Sequence, residues 1–387
     1  MPVETKIVSR ALAKRLGPVL PQLVHPDQKG FISGRKIHDH IMHLQELQHY
    51  ATTNDTPAYA TFLDFEKAYD RVDWTYLEAA LRRFNVGPGF IKWFKLLYHK
   101  PIVNLLLNGE PTSAIYPNRG VKQGDPLSSL LFVLAVEPLA EHLRRAPDLG
   151  LSLPGHTPLT NMLFADDCTL LSPSLTSLRQ QLQIVDKYCS VSGAKLNLNK
   201  CKTLTLNAQE PPPAWPGLQV LPTGMHVKYL GVWFGHNIPQ SRQVEFLLQQ
   251  FYTSFLQWGS RARTVQGRIL LVQTKFLARL WHYSAVLVIP DTVINKMQSM
   301  VNKYVVGNKI HKAARYLAVA RRGLMFDHEL GLRIPHVRSI INMQRLRLLQ
   351  RWISSPVTAD SSWSTQASHR LAEAMGPFGQ RDRLDFL

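Results

Sequence analysis

Apolar residues recur at helical spacing over residues 5–22, with Ile7, Leu12, Leu16 and Leu20 on one face and basic residues on the other. A second helix fits Ile37 to Tyr50. The compact apolar run Ala58 to Leu63, closed by Asp64, reads as a central strand. Asp73 caps a helix through Arg83, and Pro88 opens another through Tyr98. Ile102 to Leu107 and Ala114 to Tyr116 read as strands joined through Asn108-Gly109, a strong hairpin turn. Asp125 as N-cap and Pro126 at the first helical position start a helix to Arg145. Its stretch Pro126 to Ala140, broken by Glu137, is too short to span a bilayer and predicts a buried helix.

Two short apolar runs, Asn161 to Phe164 and Cys168 to Leu171, flank a small polar tip and predict a β-hairpin. Leu175 to Cys189 follows as a helix and Thr203 to Leu206 as a strand. The prolines in Glu210-Pro211-Pro212-Pro213 mark a break, because proline continues neither element. Val227 to Phe234 reads as a strand interrupted at Gly231. From Gln240 the chain turns helical and basic, over Gln240–Trp258, Gln266–Tyr283, Thr292–Val305 and Val337–Trp352. The last thirty residues give little structural signal.

Composition narrows the class. At 387 residues the chain exceeds one ordinary core, and 45% hydrophobic with 19% charged residues describes a globular protein. Forty-five basic against 27 acidic residues leave a net charge of +18. That surplus favours polyanionic partners, and its spread along the whole chain favours nucleic acid over a membrane surface. Cys168, Cys189 and Cys201 form no CxxC or Cys/His cluster, which argues against a disulfide framework or zinc site and for a reducing compartment. The charged residues Glu4, Lys6, Arg10, Lys14 and Arg15 interrupt the apolar ones among positions 1–16, so this stretch is not expected to act as a signal peptide.

The candidate chemistry starts at the tip of the Asn161–Leu171 hairpin, where Asp166 and Asp167 adjoin. Like charges side by side resist joint ionisation unless a cation neutralises them, although a solvated acidic turn gives the same pair. Asp64, ending its strand, would face Asp166 if the two strands are neighbours; otherwise it caps the helix that follows. Magnesium takes hard oxygen donors and keeps several waters, so these acids with the Phe65 carbonyl would suffice for the paired ions of nucleotide polymerisation.

The run Leu63 to Val72, then Gly120 to Ser128, then Phe164-Ala165-Asp166-Asp167 resembles, in order and spacing, the reverse transcriptase of LINE-type (non-LTR) retrotransposons. His25 to Phe31 with Gly34-Arg35 resembles the family's fingers motif. Ser192 to Asn197 with Lys200 resembles the motif after the catalytic hairpin, Tyr229-Leu230-Gly231 the primer grip, and Arg263 to Trp281 the thumb.

The resemblance implies an α+β fold: a right-hand polymerase palm, an antiparallel sheet with packed helices, with partial fingers and an α-helical thumb. The expected division is partial fingers over 1–57, palm with interleaved fingers segments over 58–207, linker and primer-grip strand over 208–239, helical thumb and connector over 240–353, and a poorly structured tail over 354–387. It implies RNA-directed DNA synthesis with two Mg²⁺ ions, for which Mn²⁺ can substitute, on an RNA template with a DNA primer and deoxynucleoside triphosphates. Asp64 and Asp166 would bridge both metals, with Asp167 auxiliary and the Phe65 carbonyl a further ligand. Tyr69 would lie under the ribose and exclude a 2′-hydroxyl. Gln123 and Gly124 would touch incoming nucleotide and template, and Arg35 template or triphosphate. Lys200 would protonate the leaving pyrophosphate. Arg261, Arg263, Arg268 and Lys275 would hold duplex phosphate, with Trp258, Leu270, Leu277 and Trp281 as the buried face.

The sequence departs from the family at both ends. Set against that pattern, the chain is expected to retain only the end of the basic finger strand, with Lys6 as its remnant, and to lack the family's endonuclease and Cys/His knuckle. A truncated copy is expected; the alternative is a catalytically silent nucleic-acid-binding remnant. Its expected place is intracellular, in nucleus or cytoplasm as a ribonucleoprotein, with no membrane and no disulfide partner.

Overall fold

The computed structural model describes residues 2–153, 157–207, 209, 218–307, 325–326, 331–354, 363 and 367–368. The expected break at Glu210 to Pro213 and nearly all of the tail beyond Ser354 lie outside the described residues. The chain divides into two compact units, principally Met1–Val227 and Lys228–Ala359.

The first unit opens with helices α1 (Val3–Leu16), α2 (Leu20–Leu23) and α3 (Ile37–Thr53), followed by strand β1 (Tyr59–Leu63). Helices α4 (Ala68–Arg71), α5 (Trp74–Arg83) and α6 (Pro88–Tyr98) lead to the hairpin β2 (Leu106–Leu107) and β3 (Glu110–Pro111). Helix α7 (Ser128–Arg144), strands β4 (Asn161–Phe164) and β5 (Asp167–Ser172), helix α8 (Leu175–Ser192), and strands β6 (Lys202–Thr205) and β7 (Gln219–Val220) complete it.

Those strands form one five-stranded sheet in the order β4-β5-β1-β6-β7, with β1 central as its apolar run predicts. Successive β1 side chains alternate between the two sheet faces. Leu63 and, across from it, Cys168 join Leu170, Leu131 and Leu134 of α7, and Leu178 and Val185 of α8 in one buried cluster. The buried pair Thr61 and Thr203 satisfies itself through its hydroxyls, 2.9 Å apart. Helix α3 is tied to the strands through Thr52, whose hydroxyl donates to the Leu206 carbonyl (3.1 Å), and through His40, whose Nε2 lies 2.9 Å from the Leu163 carbonyl.

Local chemistry explains the helix starts. The Asp73 carboxylate accepts the Tyr76 N–H, and the Ser174 hydroxyl accepts the Ser177 N–H. Three expectations are corrected. The helix over 5–22 breaks after Leu16, because Pro18 has no N–H to continue the ladder; Ile7 on it is 63% exposed. Asp125 and Pro126 build a turn, with the Asp125 carboxylate accepting the Leu127 N–H, and the helix begins only at Ser128. Around Asn108-Gly109 the strands shrink to two residues each, with an isolated bridge between Val103 and Ile115.

From Lys228 the second unit takes in all but the first residue of the hairpin β8 (Val227–Tyr229) and β9 (Val232–Phe234), then helices α9 (Gln240–Trp258), α10 (Val265–Leu271), α11 (Ala278–Ser284), α12 (Asp291–Gly307) and α13 (Val337–Ser354). Val227 to Phe234 is therefore a hairpin rather than one strand: Leu230 and Gly231, at φ +45° and +92°, reverse the chain. The His282 ring (Nε2 at 3.0 Å from the Leu230 carbonyl) and the Tyr283 hydroxyl (2.7 Å from the Gly231 carbonyl) cap that reversal. The helix expected over 266–283 is divided by a π turn, Val272–Phe276, closed by the Leu277 N–H on the Val272 carbonyl. One extra residue in a turn rotates the face by about 100°. Leu270, expected inside, is 59% exposed, while Val272, Phe276, Leu277 and Leu280 are buried. Phe276 meets Phe251 and Tyr304 at ring separations of 5.2 and 5.1 Å. Among the described residues no helix is long and apolar enough to cross a membrane.

Candidate functional site

Strand register decides where the acids fall. Strand β1 runs antiparallel to β5 with Leu63 opposite Cys168, so the next position along places Asp64 opposite Asp167, on a shared face. Strand β4 pairs Phe164 with Asp167, which leaves Ala165 and Asp166 as a two-residue tip. The backbone of Asp64 is fixed from the other side: its N–H faces the Cys201 sulfur (3.4 Å) and its carbonyl accepts the Asn197 N–H (2.8 Å). The Glu66 N–H donates to Lys195. Because backbone groups alternate sides along an extended chain, the Phe65 carbonyl between them turns towards the β5 side.

The electrostatics are those of crowded carboxylates. The Asp167 carboxyl is pushed up to about 6, first by desolvation against the surrounding protein, then by the charges of Asp166 and Asp64. Lys200 Nζ stands 3.9 Å from Asp64 Oδ2. The Tyr69 hydroxyl is raised above its ordinary value by burial and then by Asp166, and its ring stacks on Phe132 at 4.1 Å and 16°. Asp64, Asp166, Asp167, Tyr69 and Lys200 are therefore brought to one edge of the sheet.

The segment carrying Gln123 and Gly124 is zipped to the Tyr69 segment: the Val121 N–H donates to the Tyr69 carbonyl (2.8 Å), and the Trp74 indole to the Gly120 carbonyl (2.8 Å). Gln123 Nε2 donates to Asp70 Oδ1 at 3.1 Å, and nothing lies within 4 Å of where a Gly124 side chain would start. Asp70, Trp74, Arg119 and Gln123 line a cleft of about 780 Å³.

Arg35 is engaged elsewhere. Its guanidinium donates to the carbonyls of His25 (2.6 Å), Gln28 (2.7 Å), Val24 (2.7 Å) and Pro21 (3.2 Å), so it shapes the loop in front of it. In the second unit, Arg261 and Lys275 both lie against the Trp258 ring, at 4.4 and 5.0 Å from its centroid. Arg263 is exposed, whereas Arg268 donates to the Tyr304 carbonyl at 3.2 Å. Sequence reasoning missed two features: Trp233 flanked by Lys228 and Arg242 at 5.9 and 5.4 Å, and the buried Gln28. Gln28 lies inside the block matched to the fingers motif, but a side chain acting across 137 positions leaves no local signal.

Among the described residues no three His, Cys, Asp or Glu side chains are grouped closely enough to hold a metal ion as they stand. Magnesium is commonly held by one or two carboxylates with waters and substrate phosphates, and Asp64, Asp166 and the Phe65 carbonyl fit that demand.

Residues 1–247 match the family described as reverse transcriptase (RNA-dependent DNA polymerase). The transposon TX1 uncharacterized 149 kDa protein of Xenopus laevis is 29% identical over 380 residues, covering 96% of this chain and 28% of that protein. The Pol polyprotein from the retrotransposable element R2DM of Drosophila melanogaster is 26% identical over 342 residues, covering 84% and 31%. The chain thus spans roughly a third or less of these relatives. Among solved structures, telomerase from Candida tropicalis, bound to a fragment of telomeric RNA, aligns with a TM-score of 0.42 at 11% identity, over 78% of this chain and 51% of that one.

Proposed function

The chain belongs to the reverse transcriptase (RNA-dependent DNA polymerase) family, of the non-LTR retrotransposon kind, and from that premise we propose that it extends a DNA primer on an RNA template. The observation that carries this reading is the register that sets Asp64 opposite Asp167 with Asp166 at the adjoining tip. Asp64 and Asp166 would hold two Mg²⁺ ions, with the Phe65 carbonyl and Asp167 beside them. When bound, such ions supply activation of the primer 3′-hydroxyl and neutralisation of the triphosphate.

The chain's own residues do the rest. Tyr69, stiffened by its stack on Phe132, forms a floor against which a deoxyribose fits and a 2′-hydroxyl collides. Lys200, 3.9 Å from Asp64, balances the acidic edge and would give a proton to departing pyrophosphate. Gln123, Gly124 and the adjoining cleft would receive nucleotide and template, while Arg261, Arg263 and Lys275 offer sequence-independent contacts to phosphate.

The test is primer extension by the full chain with an RNA template, a DNA primer, Mg²⁺ and deoxynucleotides. Asp166→Asn is expected to lower the rate by on the order of 10³-fold or more, with unchanged circular dichroism. Undiminished extension by that variant contradicts the reading. A wild-type chain that binds RNA in a salt-dependent manner yet never extends a primer is instead the silent remnant.

A further inference from the structure

The loop Asp27–Gly30 lies alongside β4 like a partial strand. The Leu163 N–H donates to the Asp27 carbonyl (3.0 Å), and the Lys29 N–H donates to the Leu163 carbonyl (2.8 Å). Between these rungs the Gln28 side chain, 1% exposed, reaches past β4 to the hairpin tip. Its Oε1 accepts two backbone N–H groups, of Ala165 and Gly30, both at 2.8 Å, and its Nε2 donates to the Ala165 carbonyl at 3.4 Å. Ala165 stands at φ +57°, a left-handed conformation that a residue with a Cβ adopts reluctantly. One buried amide thus engages both the N–H and the C=O of the strained residue immediately before Asp166. Gly30 permits the approach, since a Cβ there would sit 2.4 Å from the Ala165 nitrogen. Arg35, through its bonds to four carbonyls of residues 21–28, holds the loop that presents the amide.

We propose that Gln28 is the positioning residue of the catalytic tip: it holds Ala165 in the left-handed turn and so aims the Asp166 carboxylate at the edge where Asp64 lies. Gln28 touches no reacting atom and acts only through the Ala165 backbone. The proposal rests on the polymerase reading for its kinetic consequence and on geometry alone for its structural one.

The experiment compares the full-length wild type with Gln28→Met, which keeps length and loses both hydrogen-bonding functions, and Gln28→Glu, which keeps the acceptor for two N–H groups. In primer extension, Gln28→Met should lower kcat by on the order of 10²-fold with KM for deoxynucleotide within about threefold, as expected when a reacting group is misplaced by about an ångström. Gln28→Glu should recover at least about tenfold of that loss. A Gln28→Met enzyme with kcat near the wild-type value, a loss confined to KM, or a Glu variant no better than Met overturns the proposal. Hydrogen exchange on the wild type judges it without any variant or activity. The Ala165 amide should exchange at least about 100-fold more slowly than the Gly109 amide at the tip of β2–β3, as its buried acceptor requires. Equal rates at the two tips overturn the clamp even if polymerisation is found, whereas slow exchange in a chain that never extends primers overturns the polymerase reading alone.

Discussion

Two hairpins of the first unit reverse the chain in two residues by opposite means. The β2–β3 hairpin turns at Asn108 and Gly109, with φ of +52° and +92°, and these residue types accept that backbone readily. Its strands are two residues long, and Leu105, Leu106 and Leu107 are all exposed. The β4–β5 hairpin turns at Ala165 and Asp166, where the first residue gains nothing from the left-handed region. Its flanks, Met162, Leu163, Cys168 and Leu170, are buried, and its tip is gripped by Gln28. Turn chemistry alone suffices for the first, and contacts from distant sequence hold the second. A turn built by its own residues is free to move with its surroundings. A turn held from outside places a side chain reproducibly, as a site bearing charged groups demands.

Three changes separate these two cases, in decreasing order of effect. Gly30→Ala drives a Cβ into the Ala165 backbone nitrogen, an atom that cannot swing aside. It is expected to cost roughly 4 kcal/mol in denaturant unfolding, and to lower primer extension in whatever fraction stays folded.

Acid should act on the same clamp through His40, whose ring meets the Leu163 carbonyl. Burial, followed by the charge of Lys29 and opposed by Asp27, lowers the His40 pKa to about 4 from 6.5. Between those values the unfolded chain takes up a proton that the folded chain refuses, so stability falls as the pH drops from about 6.5 and levels off below about 4. The full loss is on the order of 3 kcal/mol, and a His40→Gln variant should lack this component in unfolding midpoints measured across that window. An unchanged pH profile in the variant assigns the loss to other groups.

Gly109→Ala imposes a side chain at φ +92° with nothing within 4 Å of it, so only backbone strain opposes it. About 1 kcal/mol is expected, with extension unchanged. A larger loss would show that the β2–β3 tip is held by more than its own residues.

The parts of this fold legible in the sequence are those governed by neighbours along the chain. Asp73 caps its helix, Pro88 starts one, and α9 runs from Gln240 to Trp258 as its periodicity predicts. The apolar run ending at Asp64 is the central strand, which puts that acid beside the hairpin. What stayed hidden depends on distance or on one-residue shifts. The π turn at Val272–Phe276 has no signature in apolar spacing, yet it turns Leu270 outwards. Gly231 reads as an interruption within one strand, whereas Leu230 and Gly231, both at positive φ, form the tip of a hairpin. Arg35 offers a charge that sequence logic sends to a phosphate, whereas the fold spends it on backbone carbonyls. Gln28 carries no charge and matches no ligand pattern, and its meaning appears only with Ala165 in place.

The central claim is that Asp64 and the Asp166 tip close on one divalent site. Fe²⁺ substituted for Mg²⁺ in the full chain, followed by ascorbate and peroxide, cleaves backbone within a few ångströms of the bound ion. Two cut clusters are expected in the same molecules, at residues 64–66 and 165–167, both suppressed by excess Mg²⁺ and both lost in Asp166→Asn. Cleavage at only one of these segments, or at both but independently of Asp166, would contradict it.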